Sequence, residues 1–162
     1  MKASISLLAL FVAFTKASPS SRLAVGVEPT AFDHFYTTDS NEMTNANITL
    51  GYDLEGTTAY VYTTRAPSTV PLYRMYSGSA TDHFYTASYS EVSKTVDIGS
   101  YTYERIAAYV YDAEICGSIP LYRMYSSGVT DHFYTTNASE ANNAVTNLGY
   151  VSEGITAYVL TA

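Results

Sequence analysis

The chain has no tryptophan and one cysteine, Cys116, and its eight Lys and Arg residues face fifteen Asp and Glu among 162. Each shortage excludes something. A lone cysteine cannot close an internal disulfide, and with nothing basic beside it Cys116 is expected to be chemically inert. A net charge of −7 offers no basic stripe to replace counterions, so neither nucleic acid nor a membrane surface is an expected partner. No apolar run reaches the ~20 residues that span a bilayer. The longest, residues 4–14, follows Met1-Lys2 and precedes Thr15-Lys16-Ala17, which sets small residues three and one before a cut. This is the pattern of an export signal, so residues 1–17 are expected to be removed. The product would be a secreted, extracellular domain of residues 18–162. Losing Lys2 and Lys16 takes the charge from −7 to −9.

Catalytic signatures are missing as well. There is no nucleophile elbow, no HExxH and no phosphate-binding glycine loop. Glu55, Glu104 and Glu153 recur at equivalent places, whereas glycoside hydrolysis needs two carboxylates of unlike role in one cleft. The three histidines, His34, His83 and His132, are also equivalent. They could form a three-His metal set only if they converged, and a histidine beside tyrosine on a strand is more often packed than ligating. A non-enzyme without metal or cofactor is expected.

What is abundant is tyrosine, seventeen against six phenylalanines, and a period. Residues 71–86 and 120–135 are identical at 13 of 16 positions and lie 49 apart. On that spacing, without gaps, Asp33, Asp82 and Asp131 align, as do Tyr52, Tyr101 and Tyr150, and Ala59-Tyr60-Val61 with both later copies. The repeats are about 22–70, 71–119 and 120–162. Units this short must share a core.

Within a unit, the residues around Leu121–Tyr125 and those from Asp131 to Thr135 read as a hairpin across a five-residue loop. A short helix follows. Asp39, Ser88 and Asn137 are its N-caps, and Glu42, Glu91 and Glu140 stand three positions on as in a capping box. In the third copy Ala141, Ala144, Val145 and Leu148 give the helical stripe and Gly149 the stop. Residues 149–154 and 155–160 read as two short strands. The expected class is mainly β with short helices, three 49-residue repeats closed into a pseudo-threefold β-trefoil-like domain; a small propeller-like ring is the alternative. Closure would remove free sheet edges.

Alternation across that loop makes Arg74 and Asp82 diagonal neighbours, and likewise Arg123 and Asp131. The candidate ligand-binding residues are Tyr73, Arg74, Tyr76, Asp82, His83 and Tyr85, with Tyr122, Arg123, Tyr125, Asp131, His132 and Tyr134. The first repeat has residues 22–27 where the others have Pro-Leu-Tyr-Arg-Met-Tyr; Leu23 keeps register, Val25 stands for the arginine, and the site there is expected to be silent. Asp33 persists without that arginine, which points to a structural duty for the aspartates. Asn47 and Asn137 lie in glycosylation sequons.

The combination LYRxY…DHFYT…E…GY…EG…AYV resembles a repeat of unknown function found singly or in tandem in secreted fungal and bacterial proteins. Tyr73-Arg74, Asp82 to Thr86 and Glu104 carry the resemblance, with Tyr122-Arg123, Asp131 to Thr135 and Glu153-Gly154. Arg105 departs from it, standing where the pattern has glycine. The resemblance implies secretion and repeat architecture, and the hydrolytic domains beside bacterial members imply an accessory binding role. The expectation is a lectin-like module that binds a glycan or cell-wall polysaccharide through repeats two and three. Its rival is an inhibitor or effector that binds protein, with the repeated residues purely structural.

Overall fold

The computed structural model describes residues 8–17 and 32–162. Residues 22–27, aligned above with the first hairpin strand, lie outside them. The elements run β1 (Leu8–Ala17), β2 (Phe32–Thr37), α1 (Ser40–Ile48), β3 (Asp53–Tyr62), β4 (Thr69–Ser77), β5 (Asp82–Thr86), α2 (Tyr89–Asp97), β6 (Thr102–Tyr111), β7 (Ile119–Ser126), β8 (Asp131–Thr135), α3 (Ala138–Asn147) and β9 (Val151–Val159). Among the described residues the protein is mainly β with three short helices, and the strands form one open antiparallel sheet rather than the closed one expected, because only single residue pairs join its parts.

The sheet is built in three-stranded pieces. In each a long first strand lies between a short one and a long last one: β2-β1-β3, β5-β4-β6 and β8-β7-β9. Single residue pairs join the pieces, Tyr62 with Tyr109, Tyr111 with Tyr158, and Tyr60 with Leu160. The last strand is continuous where two short strands were expected. Register shifts between Leu121 and Tyr122 and between Arg123 and Met124 absorb the irregularity, and Gly154 takes φ 91° there.

β1 comes from the segment expected to be an export signal. Ala13 pairs with Tyr36 as Arg74 pairs with Tyr85 and Arg123 with Tyr134, so β1 fills the place of the Leu-Tyr-Arg strand.

The core shows why the period exists. Phe11, Leu72 and Leu121 meet in one buried cluster with Tyr36, Tyr85 and Tyr134, with Ala59, Ala108 and Ala157, and with Val61, Val110 and Val159. Alternation along each last strand aims its Ala and Val inward. Burying each large side chain contributes about 1.5–3 kcal/mol. The helices contribute less. Each buries one side chain, Ala46, Val92 or Ala144, while Val145 and Leu148 of the expected stripe are exposed.

Their starts follow the sequence more closely. Asp39 accepts from the N–H groups of Asn41 and Glu42, and Asn137 from those of Ser139 and Glu140, while Ser88 makes no cap bond. The capping-box glutamates do not turn back, however. Thr37, Thr86 and Thr135 Oγ1 accept the N-cap N–H groups and donate to Glu42, Glu91 and Glu140, which leaves those carboxylates turned away from the helix starts. Cys116 is exposed, in a turn with φ 56°.

Candidate functional site

The hairpin loop has four residues, not five, and that changes which side chains meet. Ser77 pairs with Asp82, Tyr76 with His83 and Arg74 with Tyr85. A one-residue slip moves every side chain to the other face, so the expected Arg74–Asp82 and Arg123–Asp131 neighbours do not form. The arginines go to glutamates instead. Arg74 donates through Nη1 and Nη2 to Glu42 at 3.0 Å each and through Nε to Glu104 at 2.7 Å. Arg123 grips Glu91 at 3.1 and 3.0 Å, with its Nε 2.8 Å from Glu153 but outside hydrogen-bond geometry. Each guanidinium lies over a phenylalanine, Arg74 over Phe35 at 5.0 Å and Arg123 over Phe84 at 4.9 Å. Arg105 adds a further contact to Glu42 at 3.1 Å.

The aspartates have the separate duty that Asp33 suggested. Asp33 accepts from the backbone N–H and Nδ1 of His83 and from the Tyr52 hydroxyl. Asp82 holds His132 and Tyr101 in the same way, and Asp131 holds His34 and Tyr150. The three carboxylates converge, with oxygens within 4.8 Å of one another, each already accepting from a histidine and a tyrosine. Convergence therefore falls to the aspartates; each histidine turns its other ring nitrogen toward a glutamate, His34 to Glu55 at 3.9 Å, His83 to Glu104 at 3.8 Å and His132 to Glu153 at 3.6 Å.

Beside them the tyrosines close a second ring. Tyr85 Oη accepts from Tyr36 N–H and donates to Tyr36 C=O; Tyr134 does the same for Tyr85, and Tyr36 for Tyr134. Burial holds all three phenol pKa values well above the ordinary 10, so the hydroxyls keep the protons this ring requires.

The expected ligand-contact residues thus divide. Arg74, Asp82, His83, Tyr85, Arg123, Asp131, His132 and Tyr134 are buried, and their polar atoms are largely committed inside the protein. Their burial favours a structural duty, while Arg74, His83, Arg123 and His132 also line pockets. Tyr73, Tyr76, Tyr122 and Tyr125 are half-buried. Asn137 caps α3 through Oδ1, and Asn47 donates through Nδ2, the glycan-bearing atom, to Tyr52 C=O.

Shallow pockets flank the buried network where one three-stranded piece meets the next. Phe35, Asn45, Tyr52, His83 and Glu104 line one of 180 Å³; Phe84, Lys94, Tyr101, His132 and Glu153 line one of 220 Å³. The third, of 340 Å³, has Phe133, Asn143, Tyr150, His34 and Glu55. Each draws its phenylalanine and tyrosine from one piece and its histidine and glutamate from another. The helix residues were missed from sequence, although their spacing of 49 from one another was visible.

A family model for a domain of unknown function, DUF5648, matches residues 25–160. The chain belongs to this family. No curated protein and no solved structure matches. The DUF5648 match begins beyond β1, so eight of the nine strands of the sheet fall within it.

The His34–Asp131 pair makes stability in this DUF5648 domain depend on pH. Burial by itself lowers the His34 pKa, but the Asp131 carboxylate, 2.6 Å from Nδ1, outweighs it and raises the value above 6.5. Burial raises the Asp131 pKa, and His34 reverses this to a value below 3.8. A raised histidine stabilises below its unfolded pKa and loses that as pH rises through the folded value; a depressed aspartate stabilises above its unfolded pKa and loses that as pH falls. Both contributions are full between pH 3.8 and 6.5. Melting temperature measured against pH is expected to peak in that window, and Asp131→Asn should flatten both limbs. A maximum above pH 8 would contradict the pairing.

Proposed function

We propose that this DUF5648 domain is a secreted, non-catalytic, lectin-like module, and that its polysaccharide-binding sites are the pockets between successive β-β-α-β units. The observation that carries the reading is their common composition: an aromatic ring, a tyrosine, a histidine, a carboxylate and a polar helix side chain around a shallow opening. Aromatic faces with a few fixed polar groups suit a polyhydroxylated ring. At 180–340 Å³ the pockets lie at the bottom of, or below, the roughly 300–1,000 Å³ of drug-sized sites, which suits one sugar residue each. Weak sites on one rigid body gain avidity on a repetitive polymer, by about 10²–10⁴ where they engage together. We read the units as trefoil-like copies about a pseudo-threefold axis with the sheet itself left open; the Asp–His and Tyr–Tyr contacts, which recur at separations near 49 and 98, support this.

Secretion belongs to the same proposal. Cleavage after Ala17 takes β1 with it, and the segment that sequence spacing offers for its place is residues 22–27. N-terminal sequencing of protein from the medium should begin at Ser18; a chain retaining Met1 would sink this part.

The test of binding is a glycan array and a polysaccharide pull-down with the secreted protein and with an Asn45→Ala, Lys94→Ala, Asn143→Ala triple variant. These side chains line the three pockets and lie outside the buried network. Binding that falls at least tenfold in the triple variant, with an unchanged melting temperature, is expected; no glycan bound at about millimolar concentration, the weakest useful range, overturns the reading. One observation favours the rival, a protein-binding module. Ile48, Ile98 and Leu148 stand exposed at the three helix ends, and such apolar rims mark contact surfaces. Ile98 and Leu148 also line pockets, so the discriminating variant is Ile48→Ser, which should leave glycan binding intact and weaken a protein contact.

A further inference from the structure

The two guanidinium clamps have a third counterpart that lacks its arginine. In register, the pair Arg74 and Arg105 of the second piece and the pair Arg123 and Gly154 of the third correspond to Ala13 and Gly56. Neither carries a side chain beyond Cβ. Val25, the other residue that spacing assigns to this position, has no guanidinium either. The remaining parts of the clamp are kept. Glu140 corresponds to Glu42 and Glu91 and is held by Thr135 Oγ1 as they are by Thr37 and Thr86. Glu55 corresponds to Glu104 and Glu153 and accepts from Thr15 at 2.9 Å. Phe133 corresponds to Phe35 and Phe84.

In place of the side chain is a cavity of 220 Å³ lined by Ala13, Glu55, Gly56, Phe133, Tyr134 and Glu140. Its walls are correspondingly uncovered. Phe35 and Phe84 are 7% and 5% exposed beneath their arginines, whereas Phe133 is only half-buried and Glu140 is exposed. Among the described residues, the only basic side chain paired with either carboxylate is His34, 3.9 Å from Glu55 and bound on its other nitrogen to Asp131.

We propose that this cavity is a receptor for a guanidinium group on an alkyl chain, the side chain of an arginine presented by a partner peptide. The Arg74 clamp, in which all three donors are used, defines the complex it makes. The guanidinium donates both terminal nitrogens to Glu140 and its Nε to Glu55, with its plane over Phe133. A planar fork matches a carboxylate bidentately, and an ammonium does not. The site shares Glu55, Phe133 and Glu140 with the third sugar pocket, so an arginine and a sugar would compete there, whereas at the other two pockets Arg74 and Arg123 already fill the clamp and leave room for sugar alone.

The probe is Nα-acetyl-arginine amide, titrated by NMR into the full chain and into the chain beginning at Ser18, with the lysine and citrulline analogues as comparators. A dissociation constant of about millimolar or better is expected in at least one form. Citrulline, which keeps the shape and lacks the charge, should not bind, and lysine should bind several-fold more weakly. Glu140→Gln should weaken arginine at least tenfold, and Ala13→Arg in the full chain should block it. Glu91→Gln, at a clamp already filled by Arg123, should leave the affinity within twofold. The proposal is overturned if neither form binds, if citrulline binds as well as arginine, or if Glu140→Gln binds unchanged.

Discussion

Replacing Tyr85 by phenylalanine is expected to destabilise the protein by about 2–6 kcal/mol, although it removes one oxygen atom from a side chain that contacts no solvent. The Tyr85 hydroxyl accepts from the Tyr36 N–H at 2.9 Å and donates to the Tyr36 C=O at 2.8 Å. Without it both backbone groups are buried and unpaired, and each such group costs about 1–3 kcal/mol. No neighbouring strand can take them up. β2, β5 and β8 contact one another, and three strands that meet around a point cannot form backbone ladders between every pair. Side chains seal these edges instead, a tyrosine hydroxyl on each Tyr backbone and an aspartate on each His N–H. Urea unfolding measures the effect, and Tyr103→Phe at an exposed position is the control, expected within about 0.5 kcal/mol. A change in Tyr85→Phe as small as the control would mean that the ring is not structural.

This sealing explains which parts of the protein were legible in the chain. The period of 49 places Tyr36, Tyr85 and Tyr134 in equivalent positions, and Asp33, kept in a repeat whose arginine position in sequence is Val25, already separated the aspartates from the arginines. Helix starts were legible because Asp39 and Asn137 act on residues two and three away. The contacts that build the site were not. Arg74 reaches 32 residues back to Glu42 and 30 forward to Glu104, distances over which periodicity is silent. The turn was the decisive local error. Five residues between strands and four residues place Arg74 on opposite faces, and Ser-Gly-rich loops of either length are common. β1 was hidden for another reason. An apolar run such as Leu8–Ala17 meets the requirements of an export signal and of a buried strand alike, since both need only continuous hydrophobicity.

Arg123→Ala is expected to cost about 3 kcal/mol, at the low end of the 3–5 typical when one partner leaves a buried ion pair. Glu91 and Glu153 keep 39% and 33% of their side-chain surface exposed, so water can recover part of their solvation. For a chain of this size that is a fall in melting temperature of about 6–12 °C. The protein already contains this outcome at Ala13, which shows that the fold accommodates one clamp without its arginine. Arg123→Lys should recover less than half of the loss. An ammonium can reach Glu91 or Glu153 but cannot bridge both carboxylates while lying flat on Phe84. The cleanest distinction is chemical rescue. If the guanidinium is what the site requires, ethylguanidinium should raise the melting temperature of Arg123→Ala, and ethylammonium at equal ionic strength should not. Equal rescue by both cations would reduce the clamp to a nonspecific charge effect. It would then remove the basis for expecting Glu55, Phe133 and Glu140 to select arginine over lysine.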